Sequence, residues 1–337
     1  MNWKDVASTM LSSKVESLEM ISGGRNSQVY RLIVRPSRSY ALKAYFQHPS
    51  DQRDRLQTEF SSLTFLRAGG ITTVPAPVSA DRKHNCAIYE WIDGRKVAAL
   101  PVSNSSLQAA ISFLARLGKL RERPESRSVS PASEACFSGA ELLKNLQSRL
   151  QPLLACLEHP ELQAFLAREL LPAFDRIVAW SCHRLGGLFD QELRPGARTL
   201  SPSDFGFHNA LQKPDGEIVF LDFEYFGWDD PAKMISDFLL HPAMDLSSVN
   251  KSQFAGSVVR SLSWSSGLPE RLTALYPLYG LKWCLILLNE FLPGHLLRRQ
   301  FAGMNDQDLG NKQKEQLVKA KTMLQRITGE YEHFPYL

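Results

Sequence analysis

The sequence predicts an α+β protein of two lobes: a small mixed β-sheet lobe with one main helix over residues 1–93, and a larger, mostly helical lobe over residues 94–337. Three observations lead there. Strand-like runs crowd the first part of the chain, and apolar residues at three- and four-residue steps dominate the second part. The one evident hairpin of the second part is flanked by acids.

In chain order, Val29 to Val34 and Tyr40 to Tyr45 are β-rich runs joined by the turn-forming segment Arg35 to Ser39. Asp51 to Leu66 places Leu56, Phe60, Leu63 and Leu66 on one helix face, and Ala68-Gly69-Gly70 ends that helix. Val74-Pro75-Ala76-Pro77 is a rigid connector into a third strand, Ala87 to Ile92. The reading is β-β-α-β, with the boundary near Asp93-Gly94. Helical periodicity then runs over Leu107 to Leu120, Ser138 to Leu157, Pro160 to Cys182, Tyr276 to Phe291 and Gln313 to Tyr331. The polar stretch Arg121 to Ser133 is expected as an exposed loop within the second lobe. Ala210 to Asp222 is expected as a hairpin turning at Lys213-Pro214-Asp215-Gly216.

Composition sets broad limits. The 337 residues, 44% hydrophobic and 22% charged, can bury a sizeable core, and the net charge of +4 is dispersed, without the basic block of a nucleic-acid arm. The five cysteines lie far apart with no C-x-x-C pair, which points to free thiols rather than zinc or a redox centre. Met1 to Met20 has scattered acids and no apolar core of a leader, and the longest apolar run, Trp283 to Leu288, is too short to span a bilayer. The expectation is a cytoplasmic protein with a small-molecule substrate and neither a nucleic-acid nor a membrane partner.

Asp204 and Asn209 stand five apart, and Asp222 comes thirteen residues after Asn209, across the hairpin. An acid, an amide and a second acid at these intervals suit phosphoryl transfer: the first accepts a proton from an attacking hydroxyl, while the amide oxygen and second acid hold Mg²⁺ against the phosphates of ATP. Lys43, mid-strand, reads in isolation equally as an outer-face residue, but Glu59 on the next helix offers it a carboxylate. Ser22 to Gln28 precedes a strand, and Gly23, Gly24, Asn26 and Ser27 there suit a backbone that approaches phosphate oxygens; a plain turn uses the same residues. Glu90 and Trp91 end the third strand where backbone groups meet an adenine edge, or where a plain edge strand stops. His208 reads as a base or metal ligand or as a structural residue, the latter favoured because no second histidine or cysteine lies near it in sequence; Glu224 reads as a further carboxylate for a second ion or, favoured, as one partner of a surface ion pair. Asp237 reads either as a buried acid bonded to loop N–H groups or as a helix N-cap before Phe238.

With these residues assembled, the chain resembles the aminoglycoside phosphotransferase and choline kinase superfamily, small-molecule kinases with a protein-kinase-like fold. The resemblance spans nearly the whole chain and is strongest from Leu200 to Pro242. It implies Asp204 as catalytic base, Asn209 and Asp222 as Mg²⁺ ligands, Lys43 as the phosphate-binding lysine with Glu59 its partner, Asp237 as the acid bracing the catalytic loop, and Ser22 to Gln28 as the loop over the phosphates. One departure stands out: the family usually carries His-Gly-Asp where this chain has Pro202-Ser203-Asp204. A loop braced differently, or a lower activity, is therefore expected. The implied activity is ATP-dependent phosphoryl transfer to a hydroxyl of an amino alcohol, sugar or aminoglycoside-like acceptor, with a nucleotide-binding pseudokinase as the alternative. Trp228, Asp229, Asp230, Tyr276, Tyr279, Trp283 and Glu290 are candidates to line the acceptor pocket, where aromatics with acids would enclose a cation or stack on a sugar; an aromatic helix stripe is also what a core contains.

Overall fold

Alternate residues of Ser27–Val34 (β2) and Arg38–Tyr45 (β3) bury opposite faces of one antiparallel sheet, and that period of two decides where Lys43 points. The computed structural model describes residues 2–21, 27–35, 38–47, 51, 53–97, 101–293 and 309–337. The sheet also contains Val15–Ile21 (β1), Pro77–Asp81 (β4) and Cys86–Glu90 (β5), in the order β1-β2-β3-β5-β4. Tyr30, Leu32, Val34, Leu42, Ala44 and Ile88 pack on one side with Ala7 of Trp3–Leu11 (α1). Tyr45, Ala87 and Tyr89 pack on the other with Leu56, Leu63 and Leu66 of Arg55–Ala68 (α2). Lys43, opposite Val29 and Ala87, shares this second face.

The α+β class stands as expected, with three additions and one difference. Helix α1 and strands β1 and β4 extend the β-β-α-β reading, and every strand pair of the sheet is antiparallel rather than mixed. The cause is β4 itself: a direct crossover through α2 would return parallel to β3, whereas β4 reverses the chain and the turn at Asp81–Cys86 brings β5 back antiparallel.

Arg95–Lys96 (β6) leads into the helical region and pairs with Ala210–Gln212 (β8), which continues into Ile218–Phe220 (β9) around the expected turn. Gly216 at φ +91° closes that turn, a conformation that favours glycine. Asn104–Lys119 (α3) and Gly139–Leu154 (α4) start at Ser103 and Ser138, whose side chains accept from the N–H groups of Ser106 and Glu141. The expected helix Pro160 to Cys182 is broken: Pro160–Phe165 (α5) passes through one π turn, Leu166–Leu170, into Leu171–Leu185 (α6). Pro172 lacks an N–H, so the regular ladder cannot run through that point. The polar stretch 121–133 holds two short 3-10 turns and is pinned by the buried Ser126, whose carbonyl accepts from Trp228 Nε1.

Thr199–Ser201 (β7) pairs with Gly227–Asp229 (β10), and the chain continues through Pro231–Leu240 (α7), Ser248–Ser261 (α8), Leu268–Leu287 (α9) and Leu309–Glu330 (α10). Helix α9 starts eight residues before the sequence suggested and packs against α4, α6, α7 and α10. Together with the turn that extends it to Phe291 it is, among the described residues, the one helix long and apolar enough to cross a membrane, but 78% of its most apolar window is buried inside the fold. Its apolar side chains are the core of the helical lobe.

Candidate active site

Phe205 and Phe207 turn inward, where they meet Phe113, Phe220 and Phe238. The intervening side chains of the loop after β7 are thereby less buried: Asp204 and His208 remain partly exposed. Asn209 folds back, its Nδ2 donating to the Asp204 carbonyl at 3.0 Å, which leaves its Oδ1 as the acceptor end. The Leu221 N–H donates to the Asn209 carbonyl at 2.8 Å, so the end of β9 is stitched to this loop, with Asp222 next in the chain. Asp222 adopts φ +66°, a left-handed conformation that costs a non-glycine residue roughly 1–3 kcal/mol and turns its carboxylate away from the strand.

Asp222 Oδ1 meets Lys43 Nζ at 2.6 Å, and the same ammonium lies 2.7 Å from Glu59 Oε2 and 3.4 Å from Glu224 Oε2. Lys43 from the sheet, Glu59 from α2 and Asp222 from the helical lobe therefore converge. Burial works against the Lys43 charge, but Asp222, Glu59 and Glu224 outweigh it and hold the ammonium well above its ordinary pKa. Tyr45 donates to Glu59 at 2.9 Å and lies 2.6 Å from the Tyr89 hydroxyl. Burial raises the Glu59 carboxyl, with Lys43 opposing.

Glu224 corrects the expectation of a surface ion pair. It is 2% exposed, between Lys43 and Arg55, whose Nε lies 3.4 Å away; burial and the neighbouring Asp222 push its carboxyl up to about 7. The short Phe223-Glu224-Tyr225 stretch alternates into the lobe junction, which is not visible in the letters.

His208 Nε2 lies 3.0 Å from Asp204 Oδ1, and its ring stacks on His241 at 3.7 Å with the planes parallel. His241 Nε2 is itself 3.6 Å from the same oxygen. Sequence reasoning missed His241, because it sits 33 positions beyond His208 and is delivered by the end of α7.

Asp237 is neither an N-cap nor bonded to the loop backbone. It lies inside α7, whose N-cap is Asp230, and pairs with Lys233 at 3.1 Å while accepting from Trp283 Nε1 at 3.0 Å. Two of the acceptor-pocket candidates, Asp229 and Asp230, are completely buried, tied to Lys233 at 2.8 Å and Arg271 at 2.6 Å. Tyr276 and Tyr279 are core residues, and Trp228 is held by Ser126. Trp283 and Glu290 do line a small cavity of about 100 Å³ with His241, Ile286 and Leu287.

At the strand end, the Glu90 N–H is committed to the Ala76 carbonyl at 2.8 Å and its carboxylate accepts from the Ala76 N–H at 3.0 Å, so Glu90 cannot offer its N–H to a base. Trp91 is half-buried beneath the Arg31 guanidinium, with Nε1 donating to Asp93. Ser27 begins β2 and is buried opposite Tyr45; Gly23, Gly24 and Asn26 lie outside the described residues. The hard oxygen donors of Asn209 and Asp222 fit Mg²⁺, and Asp222 already carries a cationic partner in Lys43. All five cysteines are free, as the spacing suggested.

Residues 17–238 match the model of the phosphotransferase enzyme family. Solved structures share the fold at low identity. A spectinomycin phosphotransferase, APH(9)-Ia, in complex with ADP and spectinomycin is 13% identical, with 96% of this chain and 98% of that one covered at a TM-score of 0.60. The choline kinase LicA from Streptococcus pneumoniae is 15% identical over 96% and 98% of the two chains at 0.59. The gentamicin complex of APH(2")-IIa is 19% identical over 96% and 94% at 0.60. A search of curated proteins returned no match.

Proposed function

Because the chain belongs to the phosphotransferase enzyme family, we propose that it moves the γ-phosphoryl group of ATP to a hydroxyl of a small molecule. The observation that carries this is the meeting of Lys43, Glu59 and Asp222 across the lobes, beside a loop that presents Asp204. Nucleotides in the solved relatives, ADP in the spectinomycin phosphotransferase and AMP-PNP with hygromycin B in APH(4)-Ia, support ATP as the donor.

Positioning and charge neutralisation supply most of the acceleration in such a reaction. Lys43, kept charged by its three carboxylates, binds the α- and β-phosphates, and Glu59 fixes the direction of its stem. Asn209 and Asp222 would hold Mg²⁺, which when bound neutralises phosphate oxygens. Asp204 orients the acceptor hydroxyl and takes its proton as the new P–O bond forms and the β–γ bridge breaks. His208 and His241 hold the Asp204 carboxylate from one side. Of the two strand-end residues expected at the adenine, Glu90 has its N–H committed to Ala76, which leaves Trp91 to meet the base. The cavity beside His241 accepts a group of a few heavy atoms, with the Trp283 ring and the Glu290 carboxylate suited to an amine or a sugar edge. An amino alcohol, a sugar or an aminoglycoside-like molecule meets these requirements.

The test is Asp204→Ala with a panel of amines, sugars and amino alcohols. Turnover should fall about 10³-fold while the Kd for Mg·ATP stays within about two-fold. An active variant removes Asp204 as base, and a wild type that binds nucleotide but transfers phosphate to nothing favours the pseudokinase.

A further inference from the structure

Ser203 occupies φ +67° immediately before Asp204, and its hydroxyl is engaged on both sides. It donates to the Ser133 carbonyl at 3.2 Å and accepts from Lys233 Nζ at 2.9 Å, while its N–H is held by Ser201 Oγ at 3.0 Å. Lys233 is 2% exposed. Beyond Ser203 it contacts Asp229 at 2.8 Å and Asp237 at 3.1 Å, and through Asp237 it reaches Trp283. Trp283 packs edge-on against His241 at 4.6 Å, and His241 returns to Asp204. The contacts close a circuit: Asp204, Ser203, Lys233, Asp237, Trp283, His241, Asp204.

A buried ammonium with two carboxylates has no need of a serine hydroxyl to remain charged. The reach to Ser203 instead fixes the residue directly before the catalytic acid. We propose that Lys233 is a positioning residue that holds Asp204 in place through the Ser203 hydroxyl, supplying that support from α7. The same ammonium, through Asp237 and Trp283, ties the loop to the wall of the acceptor cavity, so the base and the acceptor's surroundings move as one body. This rests on the reading of Asp204 as the base.

Hydrogen exchange and steady-state kinetics on the full chain test it. Ser203→Ala removes only the hydroxyl, and should lower kcat about ten-fold with KM for Mg·ATP unchanged, because a small displacement of the base is felt in the chemical step alone. Amides of residues 203–209 should exchange about ten-fold faster with the urea midpoint unchanged. Ser203→Gly should show the same losses, although it relieves the left-handed backbone; retention of wild-type kcat and exchange in Ser203→Gly would make Ser203 a matter of local strain and overturn the proposal. Lys233→Arg keeps the charge between Asp229 and Asp237 but not the point geometry at Ser203. Its effect on kcat should disappear to within about two-fold in a Ser203→Ala background, and effects that multiply would equally overturn the coupling. Should the wild type transfer no phosphoryl group, the functional reading fails, and the exchange of 203–209 in the same variants still decides whether Lys233 anchors the loop.

Discussion

Lys43 faces three carboxylates drawn from two parts of the chain, Glu59 on α2 and Asp222 with Glu224 just after β9, and its removal tests their dependence on it. Lys43→Met leaves Glu59 buried without its cation and Glu224 with Arg55 alone, so stability measured without nucleotide should fall by about 3 kcal/mol in urea unfolding. An unchanged midpoint would return Lys43 to the outer-face role that its strand alone allowed. Glu134 gives a pH dependence of the opposite origin. Burial tends to raise its carboxyl, but Lys282 at 3.5 Å and Arg149 pull it well below the usual glutamate range. A depressed folded pKa means stability present above the unfolded value and lost as pH falls. Lys282 is itself lowered by burial and by Lys233, which offsets part of the gain, and the Glu134 side chain keeps 34% exposure. Glu134→Gln should therefore cost about 0.5–1 kcal/mol at neutral pH. That difference from wild type should begin to close as pH falls below about 5 and go on closing until pH passes below the depressed folded pKa, and a constant difference across the range would show that the charge is irrelevant.

At the scale of elements, Gly227 sets how closely β10 approaches the polar segment 130–132. A Cβ there would lie 2.4 Å from the Ala132 nitrogen and the Ser130 carbonyl oxygen, both backbone atoms that cannot swing away. Gly227→Ala should cost about 2–3 kcal/mol and weaken the β10–β7 pairing that leads into Ser201; a neutral substitution would mean that the segment yields freely. Regular elements with clean periodicity were legible, as the Leu56, Phe60, Leu63 and Leu66 face of α2 illustrates. Helix α8 was not, because its apolar residues are few and only Phe254, Ala255 and Val258 are buried. Strand β4 escaped because it opens on a proline and spans five residues, with alternation too short to register. The π turn before α6 reflects a proline whose consequence depends on the packing around Leu166 and Leu170, not on local preference.

For the whole molecule, the change from strand-like runs to helical periodicity was enough to point to two lobes, and the acid-amide-acid spacing to one site, because a loop, a hairpin and the acid at its end return to one place whatever else the chain does. What joins the lobes was hidden: Glu224 and Arg55 at the junction, and His241 and Lys233 on and just after α7, are separated in sequence from what they touch by more than any spacing rule spans. The junction is spanned by the Lys43–Asp222 contact, which on the proposed reading would be exchanged for phosphate and cation contacts on binding Mg·ATP. Ligand binding should then stabilise the fold by about 2.7 kcal/mol at a concentration 100 times Kd, which for a chain of this size is a shift of about 4 °C in Tm. Asp222→Asn keeps the shape but gives up the charge that serves both Lys43 and Mg²⁺, so the part of the shift that depends on Mg²⁺ should disappear while any shift with ATP and EDTA persists. If wild-type protein gains as much from ATP in EDTA as from Mg·ATP, Asp222 and Asn209 are not holding a cation, and the lobes are joined by the lysine alone.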